Sequence, residues 1–270
     1  MPFTLSHAAA AWPFRKTRLE MSALLTGCFA PDFAYFLFFR PRWFIGHTPL
    51  GFIGHTLLGV FIFDLPVSLV VLWLFHAFIK QPSALLLPKA FRVRLKPSES
   101  GFSFWPPARL ALIVVSILIG TATHILWDSF THTYYWPYRH WSVLSKVVHV
   151  PAAGNMQMEK VLQYASSVFG LVFVAIWIWC WYRATKPMES PAARPYRPAQ
   201  VRIITIVVPA VALAGGILRA YEALGAPKMT IRSLMYFAVE WGITATTLLW
   251  LGLLICGAVF SSRIAATGPV

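Results

Sequence analysis

The segment GTATHILWDSFTH, residues 120–132, sets two imidazoles and a carboxylate at a fixed interval: His124, Asp128 and His132. Read as helix, each step of four residues turns the direction by about 40°, so all three project from one face. Such a stripe suits a first-row divalent metal or a catalytic acid–base set. It equally suits hydrogen bonding to neighbouring helices. A second cluster, GHTPLGFIGHTLLG at 46–59, holds the near-repeat Gly46-His47-Thr48 and Gly54-His55-Thr56. Gly and Thr beside each His allow close backbone approach and supporting hydrogen bonds. Taken alone, this is an interfacial loop with two solvated histidines. The third element is Ala30-Pro31-Asp32. Pro31 has no N–H, which opens a helix beside Asp32. A carboxylate in an apolar span faces the protein interior or a wet cavity and needs a cation. The span holds no Lys or Arg, so a metal held by His55, His124 and Asp128 is a fitting counter-charge. His132, titrating near neutrality, is suited to move a proton. His7, in MPFTLSHAAAAW, sits near the start of a short Ala-rich helix with Thr4 or Ser6 as its cap.

The elements that must position these groups are apolar. Of the 270 residues, 58% are hydrophobic, 16% aromatic and only 12% charged. About 25% charge is usual in a soluble domain. This excludes disorder, which needs low hydrophobicity and high charge. It also argues against a soluble enzyme, whose surface so few charges could not wet. Six segments reach the roughly 20 residues that cross a bilayer as helix: 20–39, 57–79, 109–131, 162–182, 202–221 and 233–260. The expected fold is an all-α polytopic membrane bundle, a single domain over 1–270. Residues 1–180 form its motif-bearing core and 181–270 add two further helices.

Net charge is +14, from 23 Lys and Arg against nine Asp and Glu. The basic residues are scattered through loops, form no single face and accompany no nucleic-acid motif, so nucleic acid is not an expected partner. With the N-terminus inside, fifteen of the 23 fall in inner loops and eight in outer ones. The positive-inside rule then places both termini in the cytoplasm, with the protein in the cytoplasmic (inner) membrane. The apolar run after Lys16 and Arg18 lacks a short h-region and an A-x-A site and is expected to be an anchor. Cys28, Cys180 and Cys256 lie within spans, far apart, as small buried apolar residues. Glu240 is expected to pair with Arg219 or Arg232, and Asp64, before Pro66, to serve structure rather than chemistry. The aromatic, basic stretch 132–161 reads as an amphipathic cover on the membrane surface.

MPFTLSHAAA, APDF at 30–33, HTLLGVFIFDLP at 55–66, GTATHILWDSFTH and LQYASS at 162–167 together resemble the bacterial family called domain of unknown function 4184. A more distant similarity links the order His, Pro-Asp, His-Thr, Gly-x-x-x-His-x-x-x-Asp to bacterial inner-membrane metal-dependent hydrolases and, loosely, to zinc-dependent phospholipase C. That resemblance implies His7, Asp32, His55, His124 and Asp128 as metal positions. His47 departs from its spacing. His132 belongs to the closer family's pattern only, as a supporting or substrate-contacting residue. A joint site requires residues 1–18 to fold back, because the charge rule sets His7 inside and the other groups toward the outer face.

The expectation is a membrane-embedded metal-dependent hydrolase. A divalent ion, zinc by preference, is its cofactor, and a phosphoester or lipid-like amphiphile is its substrate. Membrane lipids are its partners, and its oligomeric state is open. A proton-coupled transporter or channel is the first alternative, since Asp and His chains also make relays. No inverted repeat of the kind many transporters carry is visible. A non-catalytic scaffold is the second alternative.

Overall fold

A computed structural model describes residues 3–39, 53–95, 102–133, 135–151, 154–188, 196–226 and 230–267. The described residues are 80% helical with almost no strand, an all-α helical bundle. Among the described residues, five helices are long and apolar enough to cross a membrane: Leu57–Leu86, Pro107–Asp128, Met158–Ala184, Pro198–Leu224 and Ser233–Phe260. Large apolar side chains stand out from them, Leu57, Phe169 and Leu218 among them. Water does not tolerate such faces and lipid does, so the chain has the make-up of a membrane protein. The first of the six expected spans differs. It forms a shorter apolar helix, Met21–Leu37, interrupted by a 3₁₀ turn at Ala30–Asp32. Pro31, which lacks an N–H, is the cause.

The chain divides into two compact units. The first comprises Met1–Asp32, Ile53–Leu69 and Phe104–Ala184. Its central pair is α1 (Met21–Phe29) against α2 (Pro107–Asp128). The buried positions of α2 are Ile113, Ser116, Ile117, Gly120, Thr121, His124 and Asp128, a stripe at three- and four-residue steps. His124 and Asp128 are therefore the polar end of the same stripe that packs on α1. The backbones touch. A Cβ at Gly27 would run into the Ile117 carbonyl, and one at Gly120 into the Leu24 carbonyl. Small residues at such crossings are a general device of membrane helix pairs. Glu20 caps α1, its side chain accepting from the Ala23 N–H at 2.7 Å, while its own N–H donates to Ser116 Oγ at 2.9 Å.

Residues Thr4–Lys16 form a 3₁₀ segment lying on α1, on α2 and on α3 (Met158–Ala184). This is the fold-back that a joint site requires. A 3₁₀ helix has three residues per turn, so positions i and i+3 eclipse. Thr4 and His7 thereby share one edge, and Ala8 and Ala11, both buried, share another. Between α2 and α3 lie the short helices Trp136–His140 and Ser142–Ser145. A two-stranded antiparallel hairpin follows, β1 (Val147–Val150) with β2 (Gly154–Gln157).

The second unit comprises Phe33–Phe52, Val70–Ser103 and Thr185–Val270. Within it Val208–Leu224 packs along α4 (Ile231–Thr267). Ile79, Tyr196, Ile204, Leu253, Cys256 and Phe260 form its core. Arg219 pairs with Glu222, three residues away, at 3.8 Å, and Glu240 is buried. Cys28 and Cys256 are buried as expected, whereas Cys180 is exposed.

Gly120→Leu is expected to lower stability by about 1–3 kcal/mol or more through backbone overlap with Leu24. Gly242→Ala, where an added Cβ meets nothing within 4 Å, is the matched control. Thermal unfolding in detergent reads both, and equal midpoints would contradict the close α1–α2 crossing.

Candidate metal centre

The helix break at Pro31 begins the site. In the i→i+3 register the partner of the Cys28 carbonyl would be the N–H that Pro31 lacks. His124 Nδ1 takes that place, 2.7 Å from the Cys28 oxygen. A carbonyl only accepts, so the proton is on Nδ1 and the lone pair of His124 is on Nε2. The carboxyl of Asp32, next after Pro31, is similarly divided. Thr4 Oγ1 donates to Oδ2 at 2.6 Å, and Oδ1 faces inward.

Around these two groups the other residues converge, all in the first unit. His55 Nε2 lies 3.8 Å from Asp32 Oδ1 and 3.5 Å from Asp128 Oδ2. His124 Nε2 lies 3.7 Å from Asp32 Oδ1 and 3.6 Å from Asp128 Oδ2. His7 Nε2 lies 3.5 Å from the other Asp128 oxygen, Oδ1. The His7 ring stacks on that of His124, centroids 3.8 Å apart and planes 12° from parallel. Burial, reinforced by His124 beside it, pushes the His7 imidazole down to about 3, so it is neutral. His55 arrives through a tight backbone approach: a Cβ at Gly54 would sit 2.6 Å from the Pro31 carbonyl oxygen.

These separations exceed the 2.7–3.2 Å of a hydrogen bond. Two atoms each about 2.0–2.1 Å from a tetrahedral ion lie about 3.4 Å apart, close to what is seen. His7 Nε2, His124 Nε2, Asp32 Oδ1 and both Asp128 oxygens are buried with no hydrogen-bond partner among the described residues. Buried polar atoms left so are costly unless something else meets them. Two groups, His7–His124–Asp128 and Asp32–His55–His124, each have ligand atoms within 4.8 Å of one another and could hold a metal ion. Because Nδ1 of His124 is engaged by Cys28, both groups draw on the same nitrogen.

His132 stands differently from the helical expectation. α2 ends at Asp128, so His132 lies beyond the helix. Its Nδ1 donates back to the Asp128 carbonyl at 2.9 Å and lies 3.6 Å from Asp128 Oδ2. It adjoins the cluster without belonging to either metal-holding group. His47 lies outside the described residues.

Sequence reasoning missed two participants. Thr4 read as a helix cap, and only its spacing of three from His7 hinted at a shared edge. Tyr135, whose hydroxyl donates to the His55 carbonyl at 3.2 Å, carried no signal. Asp64, a neighbour of the cluster outside both metal-holding groups, is fully buried with neither oxygen bonded among the described residues. A Cβ at Gly54 would lie 2.8 Å from its Oδ1, so it stands directly behind His55.

The sequence profile of a family described as domain of unknown function (DUF4184) matches residues 1–257. No curated protein and no solved structure matches the chain.

Thr4→Val should leave Asp32 Oδ2 buried without its donor, at a cost of about 1–3 kcal/mol. Thr4→Ser keeps the hydroxyl and should stay near wild type. Unfolding of chelator-washed protein compares the two, and a loss confined to Thr4→Ser would show that the methyl group, not the hydrogen bond, matters.

Proposed function

The chain belongs to the DUF4184 family, whose description names no activity, and from its site we propose a metal-dependent hydrolase of the cytoplasmic membrane. The observation that carries this reading is the convergence of Asp32, His55, His124 and Asp128, buried and facing one another at 3.5–3.8 Å. Mixed imidazole and carboxylate donors at such spacing favour zinc among the available ions. Those four residues would hold the ion. His7 would add its nitrogen on the far oxygen of Asp128. When bound, a divalent ion supplies Lewis-acid polarisation of a phosphoryl or acyl oxygen and acidifies water.

The remaining work falls to the chain. Cys28 and Thr4 orient His124 and Asp32, the supporting role that outer hydrogen bonds play around metal ligands. His132, its Nδ1 proton fixed by the Asp128 carbonyl, exchanges a proton at Nε2. The burial of the cluster keeps water scarce around it. A phosphoester or lipid-like amphiphile is the substrate that a site on an apolar helix pair would meet. The surplus of Lys and Arg in loops on the N-terminal side supports termini in the cytoplasm.

Detergent-purified protein is expected to carry stoichiometric zinc by elemental analysis, and His124→Ala/Asp128→Ala to carry none. His132→Ala should keep the metal. It should lower metal-dependent cleavage of a chromogenic phosphodiester in mixed micelles about 10²–10⁴-fold. Wild-type protein without stoichiometric metal, or unchanged metal in the double variant, sinks the proposal. Metal-independent proton flux in liposomes would place the histidines in a relay instead.

A further inference from the structure

The stretch between Asp128 and Glu159 contains no Asp or Glu, while it holds Arg139 and Lys146. Both basic residues are exposed. So are large apolar groups beside them: Trp136 is 60% exposed, Val143 54% and Val147 58%. The aromatic rings form a connected patch. Trp136 stacks on His140 at 4.4 Å and meets Trp141 edge-on at 6.4 Å, and Phe130 lies 5.6 Å from Trp141. The patch is held in place from below. Leu144 is buried, and its short helix Ser142–Ser145 packs on α3. The Tyr135 hydroxyl ties the near end to the His55 carbonyl. In β1, alternation sends Val147 and His149 to one exposed face.

An anchored surface with exposed Trp and Val, basic charge and no acid has one complementary environment. Tryptophan rings partition to the boundary between headgroups and acyl chains. Lys and Arg beside them are drawn to a negatively charged headgroup layer. Water would tolerate the cations but not the aromatic patch. Bulk hydrocarbon would accept the rings and reject the cations. We propose that the surface formed by Trp136, Arg139, Trp141 and Lys146 is a docking site for anionic phospholipid headgroups. The stretch then lies flat in the interfacial layer of the bilayer. This does not depend on the metal: it concerns how the segment bordering the cluster is seated.

The test uses the full chain in nanodiscs of mixed phosphatidylcholine and phosphatidylglycerol. Either lipid is brominated on its upper acyl chain to quench nearby tryptophan. Brominated phosphatidylglycerol is expected to quench more strongly than brominated phosphatidylcholine at equal content. The excess reflects a local enrichment of about fivefold per basic side chain. In Arg139→Gln/Lys146→Gln the two lipids should quench alike, and high salt should have the same effect in the wild type. Trp136→Phe/Trp141→Phe should lose most of the phosphatidylglycerol excess, while the other ten tryptophans are still quenched by both lipids. Zinc content should be unchanged in all these variants, which separates this proposal from the proposed hydrolase. Equal quenching by the two lipids in the wild type overturns the proposal, as does an excess that survives the basic substitutions. An excess that is unaltered by the tryptophan substitutions overturns it too, by placing these rings in water or under a second copy of the chain. Two copies per disc by mass would identify the latter.

Discussion

Everything in the cluster depends on a single hydrogen bond, His124 Nδ1 to the Cys28 carbonyl at 2.7 Å. It joins α1 to α2 beside the break at Pro31 and decides which nitrogen of His124 faces inward. Without it the imidazole would be free to present either tautomer, and the stripe of α2 would end in an unaligned polar group. A break in one helix therefore determines the chemistry of the other. Asp32 sits within the same break. The interruption lifts the Asp32 carboxyl out of regular helix and into reach of Thr4 and His55.

The first unit is organised so that packing and polarity run along the same lines. On α2 the residues at Gly120, Thr121 and His124 follow one another on one face. The first lets the helices touch and the last belongs to both groups that could hold a metal ion. On α3 the buried positions include Gln163 and Gly170. Ser167 receives the Phe3 N–H at 2.9 Å, and a Cβ at Gly170 would press on Ser6. These contacts seat the N-terminal 3₁₀ segment, whose eclipsed Thr4 and His7 then meet Asp32 and Asp128. Partly buried carboxylates elsewhere in membrane helices demand large compensation. Here several share one small volume with imidazoles, and each constrains the others' geometry.

Legibility in the sequence followed the range of the interaction. The spacing of His124 and Asp128 on one helix face was visible because helical periodicity is local. Five of the six apolar runs were visible for the same reason. Membership of the cluster by Asp32 and His55 followed from the need of a carboxylate in an apolar span for a cation, and the resemblance in motif order pointed the same way. Their approach depends on Gly54 meeting Pro31, a contact between backbones that no periodicity records. Contacts to carbonyl oxygens, Cys28 and the carbonyl of His55 among them, carry no residue signature at all, since every residue has a carbonyl. Arg219 found Glu222 three residues away on its own helix, where helical geometry brings the pair together at little entropic cost. His132 was misread as helical because the apolar pattern gives no sign that the helix stops at Asp128.

The seating of the 3₁₀ segment has a consequence for biosynthesis. Phe3 and Ser167, joined by a hydrogen bond, are 164 residues apart in the chain. The ribosome delivers His7 and Asp32 early, His55 next, and His124 with Asp128 more than a hundred residues after His7. The partners of His7, His124 and Asp128, emerge only with α2, and the last of the surface that seats its segment only with α3. The nascent chain must therefore carry its earliest histidine unplaced through the insertion of two helices, and the cluster closes as a late event of membrane assembly.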